Sequence, residues 1–176
     1  FNGAEIRTLL SLSGEDQPQQ DIHEWNIENV FGGELERPKA KQKFFAWLYN
    51  ANASNERIEK FYNRGEILKK HYNNNIVSTP FGREIESDDF HALNYLLQSS
   101  SSDNCLKQAA KINKFLIGRK SFVHSVVHDS ITIDMKYQDR SLLSQIKEIF
   151  EDTDLGLFKS SMHIGPNLKN LEVLEW

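Results

Sequence analysis

Residues 37–49 read Arg37-Pro38-Lys39-Ala40-Lys41-Gln42-Lys43-Phe44-Phe45-Ala46-Trp47-Leu48-Tyr49. Proline suits the first turn of a helix, where its missing N–H costs nothing, and no other breaker follows before Asn50, so a helix is predicted to begin at Pro38. On that helix Arg37, Lys41, Phe45 and Tyr49 recur every four residues and share one slowly rotating face. Two cations lead and two aromatics follow. Exposed N–H groups and the helix dipole favour phosphate beside the cations, and the aromatic half can stack on a base or pack on a sugar. That pattern suits a nucleoside triphosphate laid along the helix. It also suits an amphipathic helix with Phe44, Trp47 and Leu48 in the core and its charges in water.

Upstream, Ile22, Trp25, Ile27, Val30 and Phe31 have helical spacing and are closed by Gly32-Gly33, which predicts a short helix with a glycine stop. Downstream, Ser54 is expected to cap a third helix carrying Ile58, Phe61 and Tyr62, loosened at Gly65 and ended by Asn73-Asn74-Asn75. Ile76-Val77-Ser78-Thr79 and Pro80-Phe81-Gly82-Arg83 suggest an extended segment and a turn. Ser87-Asp88-Asp89 can then cap a long helical stretch through Leu93, Leu97, Leu106 and Ile112. The four serines at 99–102 read as a loop within it, because their hydroxyls compete for backbone hydrogen bonds.

Phe122 to Val127 and residues 131–135 are rich in β-branched side chains, and their alternation predicts a hairpin turning at His128-Asp129-Ser130. Such a tip can offer a carboxylate to a metal ion with little entropy to lose, although a His-Asp pair also occurs in turns for local hydrogen bonding. Asn94 and Gln98, four apart, put two amides on one helix face, able to donate to the acceptors that base pairs show in the minor groove, or to be ordinary surface amides. Glu5 and Arg7, two apart, are expected to share one face of a strand. Leu142, Leu143, Ile146, Ile149 and Phe150 mark an amphipathic helix, and residues 157–176 read as a final strand with a turn at Gly165-Pro166.

With 176 residues, 39 % hydrophobic and 26 % charged, the chain has the length and composition of one globular domain or two small lobes, which excludes a disordered or fibrous protein. The net charge of -4 argues against a surface that is cationic all over. The charge is uneven, however: residues 37–70 hold nine Lys and Arg against three Glu, while acidic residues gather before Arg37 and from Asp129 to Asp154. No apolar run nears the roughly 18 residues needed to cross a bilayer, no secretory leader is evident, and Cys105 is the single cysteine, so a cytoplasmic protein is expected. No internal repeat or linker is evident. The numbering opens at Phe1 without a methionine, and the chain is expected to be part of a longer polypeptide.

In order along the chain, these segments resemble the polymerase domain of family A DNA polymerases, the bacterial polymerase I type. Phe1-Asn2-Gly3-Ala4-Glu5-Ile6-Arg7 is similar to motif A without its leading aspartate, and Asp21-Ile22-His23 followed by Val30-Phe31 resembles the "D-x-H" segment. Arg37, Lys41, Phe45 and Tyr49 reproduce motif B at its spacing. Thr79-Pro80-Phe81-Gly82-Arg83 is similar to the "T-x-F/W-G-R" segment, Asn94 and Gln98 match the minor-groove pair, and Val127-His128-Asp129-Ser130 resembles motif C. Six matches in one order outweigh the bland reading of each.

The resemblance implies an α+β fold, an antiparallel palm sheet with an inserted helical fingers subdomain, divided as palm over 1–20, fingers over 21–90 and palm again over 91–176. It implies a DNA-directed DNA polymerase, a nucleotidyltransferase of phage or bacterial type acting in DNA replication, that adds deoxynucleoside triphosphates to the primer 3′-hydroxyl of a primer-template DNA. Asp129 would hold two Mg2+ ions together with the missing motif A aspartate, and His128 would sit near the primer end. Arg37 and Lys41 would hold the triphosphate, with Lys41 protonating the departing pyrophosphate. Phe45 and Tyr49 would border the nascent base pair, Glu5 would exclude a ribose 2′-hydroxyl, and Asn94, Gln98, Arg83 and Arg7 would serve the DNA.

The family's thumb, first part of the palm and motif A aspartate lie upstream of Phe1, so the chain alone is expected not to polymerise without an upstream polymerase segment. Ser130 stands where many members have Glu, and Phe90 where a basic residue often precedes the amide pair. The family continues a helix through the four serines, against the loop predicted from their chemistry. Two other readings compete: a noncatalytic nucleic-acid-binding or complementing module, and a metal phosphohydrolase, whose His-Asp pair would lie on a helix with further histidines.

Overall fold

The computed structural model describes residues 1–50 and 52–174. Its backbone forms seven α-helices and nine short β-strands among these residues, an α+β chain whose sheets are all small and antiparallel. It divides into two compact units, one of Gly3–Asn104 and one of Phe1–Asn2 with Cys105–Trp176, of which 175 and 176 lie outside the described residues.

The first unit opens with α1, Ala4–Leu12. Glu5 and Arg7 therefore lie on a helix and not on the expected strand. The reason is in the core: Ile6, Leu9 and Leu10 are buried at helical spacing, a period of three to four that outweighs the two-residue spacing of Glu5 and Arg7. Gly3 precedes α1 with φ +66°, and a Cβ there would meet Ile22 Cγ2 at 2.5 Å, so the position requires glycine on two counts. Helix α2, Ile22–Asn29, starts on the Asp21 carboxylate, which accepts from the His23 and Glu24 N–H groups. Helix α3, Arg37–Tyr49, carries Pro38 in its first turn as predicted and buries Ala40, Phe44, Trp47 and Leu48.

The third helix is broken in two. Asn63, at φ +49°, ends α4, Glu56–Tyr62, and its side chain caps α5, Arg64–His71; asparagine tolerates the left-handed conformation, and Gly65 simply lies inside α5. The cap of α4 is Asn55, one residue beyond the expected Ser54. Strands β1 (Tyr72–Asn73), β2 (Ile76–Ser78) and β3 (Glu84–Glu86) make a three-stranded antiparallel meander around the Thr79–Arg83 turn. The Trp47 indole donates to Glu59 at 2.9 Å under the Arg64 guanidinium, and the Tyr62 hydroxyl donates to Asn26 at 2.8 Å, so the polar tips of the core aromatics are satisfied.

Helix α6, Ala92–Phe115, runs through all four serines. The predicted loop is overruled because Leu93, Leu96 and Leu97 are buried before the serines and Cys105 and Ile112 after them, so packing at both ends carries the helix across residues of poor propensity.

In the second unit, β4 (Phe122–Val127) and β5 (Ser130–Asp134) form the predicted hairpin, with Val127 opposite Ser130 and a two-residue turn of His128 and Asp129. After a 3-10 turn over Tyr137–Leu142, α7 (Leu143–Glu151) buries Ile146 and Phe150, as its amphipathic pattern predicts. The expected final strand does not form. Residues 152–174 make two small hairpins instead, β6 (Asp152–Thr153) with β7 (Gly156–Leu157) and β8 (His163–Ile164) with β9 (Glu172–Val173); the last two residues of that expectation lie outside the described ones.

Asp139 pins the base of the β4–β5 hairpin. Its Oδ2 accepts from Lys120 N at 3.0 Å, Ser121 N at 2.9 Å and Ser121 Oγ at 2.8 Å. The Ser121 hydroxyl, then the two backbone donors, holds its pKa below the ordinary aspartate value against the opposing effect of burial. A carboxyl whose folded pKa is depressed stabilises above its unfolded pKa and loses that contribution as pH falls through the folded one. Asp139→Asn is therefore expected to lower the melting temperature by several degrees at neutral pH, with the gap closing below about pH 4. Thermal denaturation across pH 2 to 7 checks this, and a gap independent of pH contradicts it.

Candidate nucleotide and DNA site

One face of α3 gathers most of the residues singled out in the first unit. Arg37 and Lys41 are exposed, Phe45 is half-buried and Tyr49 is 41 % exposed at the far end. Phe45 and Tyr49 stack with ring centroids 5.6 Å apart and nearly parallel planes, and the His23 ring meets Phe45 edge-on at 6.4 Å. The Tyr49 hydroxyl donates to Glu5, which joins α1 to the end of α3. Burial first, and then the Glu5 carboxylate, hold the Tyr49 phenol protonated far above its ordinary range, while the Gln98 amide pulls the other way. Glu5, Phe45, Tyr49 and Gln98 thus converge, although 93 positions separate the first from the last in the sequence.

At the other end of this face Arg37 pairs with Glu24 at 2.7 Å and with Asp21 at 2.9 Å, and the Glu24 bond first, then the Asp21 bond, raises its pKa. The His23 imidazole beside them is pushed down by burial first and by the Lys41 charge second, which favours its neutral form. Sequence reasoning missed the part played by Asp21 and Glu24 in holding Arg37. The readable signal was an acidic residue at the helix cap with another three residues on, the spacing of a capping box.

The residues that the resemblance directs to DNA are placed differently. Gln98 is exposed and Asn94 half-buried on α6. Arg83 pairs with Asp103, a residue not singled out in the sequence. Arg7 is fully buried: its guanidinium donates to Gln17 Oε1 at 3.3 Å and to the carbonyls of Pro18 and Gln20 at 3.2 Å. It organises the 17–20 turn from inside, and its expected service to DNA is corrected to a structural one.

In the second unit His128 sits at the hairpin tip with φ +54° and is exposed, while Asp129 is half-exposed. The Asp129 carboxylate is in no ion pair or side-chain hydrogen bond among the described residues. The Phe1 backbone nitrogen donates to the Asp129 carbonyl at 2.8 Å, and the Phe1 ring stacks on Phe150 at 4.1 Å and meets Phe158 edge-on at 5.4 Å. The chain's first residue is therefore docked at the hairpin tip. A single unpaired carboxylate fits a metal ion as one ligand of a set. Among the described residues no group of three or more His, Cys, Asp or Glu side chains forms a complete metal site. Also among them, no helix is long and apolar enough to cross a membrane.

No protein-family model and no curated protein matches the sequence. Among solved structures the chain is similar to the POL domain of Pol1 from M. smegmatis, determined in complex with DNA primer-template and dNTP, with 20 % sequence identity and a TM-score of 0.64. The match covers 89 % of this chain and 37 % of that one, so this chain spans about two-fifths of the solved structure's length. The chain therefore shares the α+β fold of part of that POL domain, the fold that the resemblance implied.

Proposed function

We propose that the chain is the C-terminal palm and fingers part of a template-directed DNA polymerase, with residues 1–20 and 91–176 in the palm and 21–90 in the fingers. The observation that carries this reading is the α3 face, where the Glu5–Tyr49 hydrogen bond and the Phe45–Tyr49 stack sit in line with Arg37 and Lys41.

Along that face Arg37 and Lys41 bind the phosphates of an incoming deoxynucleoside triphosphate, and Lys41 gives a proton to the departing pyrophosphate. Phe45 and Tyr49 border the nascent base pair. Glu5, held by Tyr49, fills the space that a ribose 2′-hydroxyl would need, which selects deoxynucleotides. Asn94 and Gln98 donate to minor-groove acceptors of the primer-template, Arg83 adds charge for its backbone, and His128 lies by the primer end. Asp129 would hold divalent metal, two Mg2+ ions, together with a carboxylate from an upstream polymerase segment. When bound, such ions supply activation of the primer 3′-hydroxyl and charge neutralisation on the leaving phosphates. Replication in a cytoplasm, in a phage or bacterial setting, is the matching biology.

A noncatalytic DNA-binding or complementing module is the second reading, and the lone Asp129 carboxylate among the described residues favours it. Primer extension in Mg2+ separates the two. The polymerase reading expects no extension by this chain alone and extension after the upstream segment ending in aspartate is added. No extension from two folded and associated pieces leaves the binding module.

A further inference from the structure

Arg37 is held from two sides. Its Nη1 donates to Asp21 Oδ1 at 2.9 Å and to Glu24 Oε1 at 2.7 Å, and its Nη2 donates to Asp21 Oδ2 at 3.2 Å. A guanidinium has five N–H donors, and these bonds use three of them. The other two, Nε–H and the second Nη2–H, project from the same edge of the plane, the arrangement that meets a phosphate in bidentate fashion. No acceptor among the described residues takes them.

The two carboxylates are not equivalent. Asp21 grips both terminal nitrogens and is itself fixed, since its Oδ1 caps α2 by accepting from His23 N at 2.9 Å and Glu24 N at 3.1 Å. Its side chain is 28 % exposed, against 50 % for Glu24, which makes one bond. Exposed ion pairs are weak in general, but a bidentate pair anchored on a helix cap restrains geometry even where it adds little stability.

We infer that Asp21 is a positioning residue, which uses the N-terminus of α2 to hold Arg37 with its Nε/Nη2 edge turned out as a two-pronged fork for a phosphate of the incoming triphosphate. This rests on the reading of α3 as the triphosphate-binding helix. Glu24 is the secondary contact, and its charge opposes an arriving anion.

The sign of one substitution separates positioning from simple charge. Asp21→Asn removes a negative charge, so electrostatics alone predicts tighter triphosphate binding, whereas loss of the bidentate clamp predicts weaker binding. Asparagine keeps the helix cap, and Asp21→Ser is a second uncharged capping variant should the first fail to fold. Titration of the full chain with dGTP and with inorganic tripolyphosphate is expected to give binding about three- to ten-fold weaker in Asp21→Asn, the cost of immobilising a free arginine. Glu24→Gln should bind equally or more tightly. Arg37→Ala should weaken binding at least as much as Asp21→Asn, with no further loss in the double variant. Unchanged or tighter binding by Asp21→Asn, with Arg37→Ala weakened, overturns the inference and leaves the reading of α3 intact. Full affinity in Arg37→Ala, or no binding by the unaltered chain, overturns that reading and the inference with it.

Discussion

Asp129→Ala, made in a polymerase assembled with the upstream segment, is expected to lower single-turnover nucleotide addition by about 10³-fold or more while primer-template affinity stays near that of the unaltered protein. The size follows from the chemistry assigned to this carboxylate. A phosphoryl transfer depends on charge neutralisation at the attacking and leaving oxygens, and the described residues hold no cluster of ligating side chains to take over from Asp129. The selectivity follows from its place in the fold. Asp129 lies in a two-residue turn, half-exposed and bonded to Phe1 through its backbone carbonyl, so its side chain can be removed without opening the core or the hairpin. Single-turnover extension and DNA-binding titrations on the same preparation give the answer. Extension near the unaltered rate would sink the metal assignment, and a parallel loss of DNA binding would mean that the hairpin tip had been disturbed.

Lys41→Ala is expected to lower the rate of addition by about 10²-fold, the usual worth of a positioned general acid, and also to weaken nucleotide binding. Both effects belong to one side chain because, on the proposed reading, the Lys41 ammonium at the start of the aromatic stripe is a phosphate ligand and a proton donor at once. Lys41→Arg separates them. Arginine keeps the charge but does not release a proton near neutral pH, so binding should recover more than rate. Single-turnover incorporation at varied dNTP reads the two quantities apart. Kinetics unchanged in Lys41→Ala would contradict the placement of the triphosphate along α3.

Helix α3 was legible from its residues because the local and tertiary signals agree. Proline opens it, no breaker interrupts it, and the apolar residues that drive it into the core leave Arg37, Lys41, Phe45 and Tyr49 on a flank. The β4–β5 hairpin was legible for the same reason, since β-branched alternation specifies antiparallel pairing, although Ser130, read as part of the turn, opens β5 opposite Val127. The misread segments are those where local chemistry and packing disagree. The serines within α6 prefer a loop but sit between buried leucines and a buried cysteine, and Glu5 and Arg7 have a strand's spacing on a helix set by Ile6, Leu9 and Leu10.

Which residues carry charge, which can stack and which can bind a phosphate is written in the order of the amino acids, because these properties belong to the side chain and to its nearest helical neighbours. Their partners are not. That Arg7 is spent inside the protein on the 17–20 turn, that Tyr49 meets Glu5 and Gln98, and that Arg37 is clamped by Asp21 and Glu24 were decided only by the packed chain. A side chain's chemistry is local, but its burial and its hydrogen-bond partners depend on contacts between residues far apart in sequence, which form when the core excludes water.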